Sequence, residues 1–517
     1  MSQTTTRTIA DHFAEQAERR PDAAALIWDG EPISYAELLA LADAAHAEIE
    51  GARLPLDRPV GIRAKKSPEA IALIIACLRA GHAFLLPSIE LASETLAQLF
   101  AQAGTSQVLS PHGPRSESAA SLRALVDDAR AQPGEGGLGS QSEWPPAGGA
   151  EGVTFMLTTS GSTGLPKIVP LQNAGVDAFT DWAAAKFEIR PGTVVANYAP
   201  LNFDLCLLDI WTTLKYGGTV AMVDQDRATQ GAYLAELIGD NEVNVLQAVP
   251  MLYRLLIDVN REDGRTFPSV RHAITTGDKI PASSLAELPK LFPNARFYNV
   301  YGCTETNDSL VHEFLGLAEG NVPTNVPVGQ PIPGVIVRVQ SEDGTALEGT
   351  GTGEFMVWTP FQTRGYLKSS LNEGKFVTLE DDDGRTYYKS GDIVRRHDDG
   401  TLTLEGRADF YVKVRGVRVS TQVVEQAIQE HPAVIEVAVI AVPDELAGAR
   451  LHATVRREAD AKLNSLQLRQ HCSTRLARTE MPSTIQIVTD PLPKTSTGKV
   501  DRKAVAAELE RSRANGG

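Results

Sequence analysis

The sequence predicts an α/β protein. A large N-terminal domain of layered α/β subdomains, joined to a β-rich subdomain, precedes a small α+β C-terminal domain. Three observations predict it. Strand and helix patterns alternate from Ile9 past Val245. After about Pro331 the pattern changes to alternating strands broken by Gly/Asp turns, as in Glu342-Asp343-Gly344, Asp382-Asp383-Gly384 and Asp398-Asp399-Gly400. A smaller βαβ-type segment begins near Asp409. At 517 residues the chain exceeds one ordinary core, so two or more domains are expected.

Each element follows from local pattern. Residues Ile9 to Arg20 place apolar side chains at helical spacing, with Asp11 as the candidate cap. Ser34-Tyr35-Ala36-Glu37 is a capping box that opens the next helix. Pro59-Val60-Gly61-Ile62 reads as a strand, Ser67-Pro68-Glu69 opens a helix to about Ala80, and Ala83 to Pro87 is a short strand. From Ala131 to Gly152 the chain is rich in Gly, Pro, Ser and Gln, which predicts a mobile surface connection. Val153-Thr154-Phe155-Met156-Leu157 is an apolar run of buried-strand length. Further strands are expected near Val194, Thr219 and Val245, with helices between them. No internal repeat is visible.

Composition narrows the function. Acids outnumber bases 65 to 49, giving a net charge of −16, which argues against a nucleic-acid partner. The four cysteines, Cys77, Cys206, Cys303 and Cys472, have no metal-type spacing and read as reduced thiols. The polar N-terminus shows no signal peptide. The apolar run near Ala70 to Ala80 is too short to cross a membrane and is broken by Arg79. A cytoplasmic enzyme with no membrane contact is the expectation.

Thr158-Thr159-Ser160-Gly161-Ser162-Thr163-Gly164-Leu165-Pro166-Lys167 carries the most chemistry. Glycines let backbone N–H groups close around an anion, hydroxyls add donors, and the lysine adds a point charge. A Ser/Thr/Gly-rich linker has the same composition. A Walker loop is excluded, because Lys167 follows Pro166 and no Ser or Thr comes after it. Four further segments suit a nucleotide. Asn299-Val300-Tyr301-Gly302-Cys303-Thr304-Glu305-Thr306 offers an aromatic face for a base, an amide for an adenine edge, and a carboxylate for Mg²⁺. Tyr388-Lys389-Ser390-Gly391-Asp392 places an acid after a tight turn, where it can accept from ribose hydroxyls. Leu404-Glu405-Gly406-Arg407-Ala408-Asp409 supplies an arginine for ribose or phosphate, followed by the basic stretch Lys413 to Arg418. Pro491 to Arg502 puts Lys499 on a Gly-containing loop.

In this order the segments resemble the adenylate-forming enzymes: acyl-CoA synthetases, luciferases and the adenylation domains of nonribosomal peptide synthetases. The resemblance spans residues 9 to 503. It implies ATP and Mg²⁺ as cofactors and two domains, 1–408 and 409–517, the second swinging about a hinge at Asp409. It implies an ATP site of Thr158, Thr159, Ser160, Gly161, Ser162, Thr163, Gly164, Lys167, Gly277, Asp278, Asn299, Tyr301, Gly302, Asp392 and Arg407. Lys499, Thr304 and Glu305 take catalytic roles, with Glu305 on the metal. Lys413, Arg415 and Gly416 face the site in a second, thiolation half-reaction.

Asn202-Phe203-Asp204 is similar to the Phe-Asp motif of amino-acid-activating members, where the aspartate pairs with the substrate's α-ammonium. An acid buried there without a cation would be costly. Asp204 could instead cap the following helix, with Asp209 as a competing surface acid. The same resemblance gives a pocket of Asp204, Leu205, Leu208, Gln247, Ile274, Thr276, Val300, Asp308 and Ser309. Asp308 implies either a substrate with a polar or second cationic group, or a small substrate with Asp308 turned away. Leu205, Leu208 and Thr306-Asn307 also resemble free-standing prolyl–carrier-protein ligases, although the polar wall departs from their apolar pocket. Ser88 and Ser420 depart from the family pattern, which has Asp and Glu there. The expected function is activation of an amino acid to its adenylate, then transfer to the phosphopantetheine thiol of a separate carrier protein in natural-product biosynthesis. An acyl- or aryl-CoA ligase using free CoA is the alternative, and a non-catalytic ATP-binding protein is a third.

Overall fold

A computed structural model of the chain describes residues 7–105, 107–114, 142–146, 149–159, 165–341, 344–379, 382, 384–414, 417–444, 448–458, 461–473, 475–478, 480–494 and 499–514. The chain forms two compact units. One comprises Met1–Arg338, Met356–Ser390 and Asp398–Thr403; the other comprises Val339–Phe355, Gly391–His397 and Leu404–Gly517. The expected connection from Ala131 to Gly152 lies largely outside the described residues.

The local signals explain the first elements. The opening helix spans Ile9–Arg19, and its cap is Thr8 rather than Asp11. Asp11 closes the reciprocal box three residues on, accepting from the Thr8 N–H at 2.7 Å. Ser34 and Glu37 form the second box, at the start of the helix Tyr35–Gly51. The helix Pro68–Arg79 begins with proline in its first turn, where no N–H is needed, and is buried from Pro68 to Leu78. Such a helix, apolar on every side, is a core helix. No helix among the described residues is long and apolar enough to cross a membrane.

Two sheets build the first unit. A five-stranded sheet runs in the order Val108–Leu109, Val60–Ile62, Phe84–Leu85, Val153–Thr159, Lys167–Gln172. Its pairs are parallel except the last, which is antiparallel. A second sheet places Ala24–Trp28, Thr219–Met222, Val194–Asn197, Val245–Ala248, His272–Thr276 and Arg296–Cys303 side by side and parallel. Asn307–Phe314 then pairs antiparallel with Arg296–Cys303. Parallel strands need a covering layer on both faces. Helices such as Gly231–Asp240, Pro250–Asp263 and Ala282–Leu291 supply it, packing Leu234, Leu252, Tyr253, Leu256 and Leu285 into one core. Ligands of such sheets gather at the C-terminal strand ends. That edge holds Ala248, Thr276 and Cys303.

In the second unit Val434–Asp444 pairs antiparallel with Gly448–Arg457, and Thr484–Val488 pairs parallel with the latter. The helix Ser465–Ser473 lies between those two strands in sequence, which makes the expected βαβ segment. Val424, Ile428, Leu451, Val455 and Leu468 form its core. Ser420, where the family pattern has Glu, caps the helix Thr421–Gln429, accepting from the Val423 N–H at 3.4 Å.

Candidate active site

Two paired strands, Val153–Thr159 and Lys167–Gln172, flank the expected phosphate loop. Thr159 pairs with Lys167 across the strands Val153–Thr159 and Lys167–Gln172. Ser160, Gly161, Ser162, Thr163 and Gly164 lie outside the described residues. Lys167 Nζ lies 3.4 Å from the Tyr366 hydroxyl and 4.6 Å from the centre of its ring. The same hydroxyl donates to Glu305 Oε1 at 2.6 Å and sits 3.1 Å from that of Tyr388. One phenol thus ties the phosphate-loop lysine to the carboxylate expected to hold Mg²⁺. Burial and the Glu305 charge raise the Tyr366 and Tyr388 hydroxyls well above the ordinary phenol range.

Backbone contacts fix this arrangement. The Thr363 N–H donates to the Glu305 carbonyl at 2.9 Å, and its hydroxyl donates to the Pro170 carbonyl at 2.6 Å. Asn372 Oδ1 accepts from the Tyr366 N–H at 2.8 Å. Gly365 has φ of +145°, and a Cβ there would press on the Asn372 side chain. Sequence reasoning missed Tyr366. Thr363-Arg364-Gly365-Tyr366 has no periodicity, and Gly365 was the available signal.

The Asn299–Thr306 segment meets Ser390 through Tyr301, whose hydroxyl donates to Ser390 Oγ at 3.4 Å. Asn299 is engaged within the fold: Nδ2 donates to the Pro327 carbonyl at 2.7 Å, and Oδ1 accepts from Thr275 at 3.2 Å. Gly277, at φ +77°, turns the chain after the strand His272–Thr276. The exposed Asp278 accepts from the Lys279 N–H at 2.8 Å. Gly302 is required by a close approach, since a Cβ would strike the backbone of Asn307 and Asp308.

The acyl side is a cluster of acids. Asp204 Oδ1 accepts from the Leu205 N–H at 3.1 Å, and the Thr304 hydroxyl donates to the carboxylate. Burial, followed by the neighbouring Glu305, pushes Asp204 up to about 6. Burial and Asp204 push Asp308 up to about 7. Asp204 caps no helix, for the following segment Leu207–Thr212 has no side-chain cap bond. The expectation that Asp209 is a surface acid is overturned. It is 0 % exposed, accepts from Asn197 Nδ2 at 3.1 Å, and burial raises it well above the carboxylate range. The physical reason is the wide π-helical winding of Leu207–Thr212, which turns Asp209 inward. Lys66, fully enclosed, donates to the Asn197 carbonyl at 3.0 Å, and burial pushes it down to about 8.

Strand register brings the rest of the expected pocket together. Gln247 pairs with Ile274, and Thr276 with Val300. Part of the polar wall is consumed by the fold. Gln247 Nε2 donates to the Leu205 carbonyl at 3.3 Å, and Ser309 Oγ lies 3.1 Å from both Thr306 Oγ1 and the Asn307 carbonyl. Leu208 is buried and Leu205 partly so.

Within the second unit Arg407 Nη1 donates to Asp392 Oδ1 at 3.0 Å, joining two motifs distant in sequence. Asp409 lies in the short turn Ala408–Phe410. Lys413 pairs with Arg418 in a hairpin, while Arg415 and Gly416 lie outside the described residues. Lys499 is exposed. The base of its loop is stapled by the Lys494–Val500 bridge and by Lys494 Nζ, 2.5 Å from Glu436 Oε1.

Residues 13–367 match the AMP-binding enzyme family and residues 423–499 its C-terminal domain. The L-proline–[L-prolyl-carrier protein] ligase of Pseudomonas fluorescens is 33% identical over 362 residues, 69% of this chain and 69% of that protein. The D-alanine–D-alanyl carrier protein ligase of Bacillus licheniformis is 26% identical over 97% of this chain and 99% of its own. The o-succinylbenzoate coenzyme A synthetase of Bacillus subtilis, in complex with ATP and magnesium ion, shares the fold. Its TM-score is 0.78 at 20% identity, covering 96% of this chain and 99% of that one. Some curated relatives are far longer, and the chain spans 8% of one of them. The family match extends over more than half of the chain, so the chain belongs to the AMP-binding enzyme family and is an ATP-dependent, AMP-forming ligase.

Proposed function

We propose that the enzyme joins an amino acid's carboxylate to the α-phosphorus of ATP, releases pyrophosphate, and passes the aminoacyl group to the phosphopantetheine thiol of a carrier protein. The observation that carries this reading is Asp204: a partly buried carboxylate held by Thr304 and Leu205, with no ion pair from the described residues. Such a group calls for a cationic ligand, and an α-ammonium supplies one. The two carrier-protein ligases among the relatives support both the amino acid and the acceptor.

Roles follow from chemistry. Two anions must meet, so neutralisation and positioning supply most of the catalysis. Lys167 and the phosphate hairpin face the β- and γ-phosphates. Glu305 suits Mg²⁺, since this cation takes one or two carboxylates and completes its shell with phosphate and water. The Tyr366 hydroxyl at 2.6 Å orients that carboxylate. Asp392 and Arg407 hold the ribose. Lys499 bridges the substrate carboxylate and ribose in the first half-reaction, and residues 409–517 then turn about Asp409 to bring Lys413, Arg415 and Gly416 to the thiol. The cytoplasm is the proposed compartment, in keeping with the free thiols of Cys77, Cys206, Cys303 and Cys472.

Pyrophosphate exchange across an amino-acid panel tests the first half-reaction. Exchange with at least one amino acid, and none with its des-amino acid, is expected. Exchange confined to amine-free acids would overturn the reading in favour of an acyl- or aryl-CoA ligase. Loading of a holo carrier protein, compared with free CoA, tests the acceptor.

A further inference from the structure

Two partly buried carboxylates act on one another here, and the fold gives hydrogen bonds to only one. Asp204 receives the Leu205 N–H and the Thr304 hydroxyl. Asp308 receives neither hydrogen bond nor ion pair from the described residues, and the charges acting on it, Asp204 and Asp209, are acids. A partly buried carboxyl with no donor from the fold is open to one that a ligand brings.

The backbone directs both groups to one place. Gly302–Asp308 and Cys303–Asn307 are the last pairs of the hairpin made by Arg296–Cys303 and Asn307–Phe314. Thr304, which holds Asp204, follows in its turn. The missing side chain at Gly302 lets Asp308 come close. Deeper polar groups are spent on the protein: Gln247 Nε2 on Leu205, Ser309 Oγ on Thr306 and Asn307. The other Gln247 atom, Oε1, has no partner but is enclosed rather than open to a ligand. What remains is an acidic pair at one end and Leu205, Leu208, Ile274 and Val300 as the apolar wall. One ammonium group carries at least two N–H bonds, enough for both acids. A second cation would call for a further acid, and the other polar pocket residues, Gln247, Thr276 and Ser309, are neutral.

We propose that Asp308 is a second ligand of the substrate ammonium, so that Asp204 and Asp308 clasp a single cationic nitrogen. The site then selects an amino acid with one positive charge and a small apolar body, and rejects dibasic amino acids. This rests on the amino-acid reading above.

The test is pyrophosphate exchange with the full chain, using the amino acid that exchanges fastest, beside lysine and ornithine. Asp308→Ala is expected to raise KM for that amino acid about tenfold, the loss of one charge-assisted hydrogen bond. KM for ATP and kcat should stay within about twofold, since uniform binding alone is removed. Asp308→Asn, which keeps an acceptor and the shape, should raise KM less and serves if the alanine variant fails to fold. Unchanged KM in both variants would overturn the inference while leaving amino-acid activation standing. Fastest exchange with lysine or ornithine would overturn it too, by assigning Asp308 to a second cation. Exchange confined to amine-free acids would instead remove the amino-acid reading on which it rests.

Discussion

In the second unit Glu425, Glu430, Glu436 and Asp444 each meet an arginine or lysine: Arg502, Arg475, Lys494 and Arg450. In the first unit Asp204 and Asp308 act on one another without an ion pair among the described residues. Glu425 shows the first style at its fullest. It accepts from Arg502 Nε and Nη2 and from the Val439 N–H, tying the helices Thr421–Gln429 and Arg502–Ala514 to the strand Val434–Asp444. Paired acids hold elements in place, whereas acids left without cations store an electrostatic demand that a ligand meets. The two styles therefore separate scaffold from site.

That separation can be broken by substitution. The largest effect is expected from Lys499→Ala, which should slow adenylate formation about 1000-fold with ATP affinity intact. Wild-type exchange would deny the lysine its role. Asp204→Ala should lower kcat/KM for the amino acid about 100-fold, leave KM for ATP unchanged, and leave the apo protein no less stable. A loss of stability without loss of specificity would make Asp204 a scaffold acid. Arg502→Ala should do the reverse, removing about 2 kcal/mol from the second unit in denaturant unfolding while the chemistry survives at low temperature. Tyr366→Phe should slow exchange about fivefold, the worth of one hydrogen bond to the Glu305 carboxylate, with little change in melting temperature.

The smallest effect is on pH. Asp204 and Asp308 are raised by burial to about 6 and about 7, so the folded state binds protons that the unfolded chain has lost. Their stabilisation is complete below the unfolded carboxylate range and disappears as pH climbs through 6 and 7. The apo protein should melt about 2 °C lower at pH 8 than at pH 5.5. The Asp204→Asn/Asp308→Asn double variant should lose that part of the slope, and a saturating amino acid should reduce it. Calorimetry at the two pH values reads both; an unchanged slope in the double variant would place its origin elsewhere.

Much of this was legible in sequence because the signals are local. Capping boxes, proline in a first turn, and apolar runs gave helices and strands close to their observed bounds, and Asp204 carried its own motif. The misreadings came from geometry that spacing does not encode. Asp209 looked like a surface acid because α-helical periodicity was assumed where the winding is π-helical. Asp11 looked like a cap because both members of a capping box are polar. Tyr366 left only the neighbouring Gly365 as a signal, since its partners Lys167 and Glu305 are distant in sequence and a buried phenol resembles any core aromatic.

The second sheet of the first unit has a consequence for how the chain reaches this state. Leu26 pairs with Val220, so a strand made before the five-stranded sheet finds its parallel neighbour only after that sheet has been made. Until then Ala24–Trp28 has only its hairpin partner Glu31–Ser34, and an isolated hairpin is marginal in water. Closing so long a loop is entropically slow. The large unit therefore assembles late, and its apolar N-terminal edge is the segment most in need of protection on the ribosome.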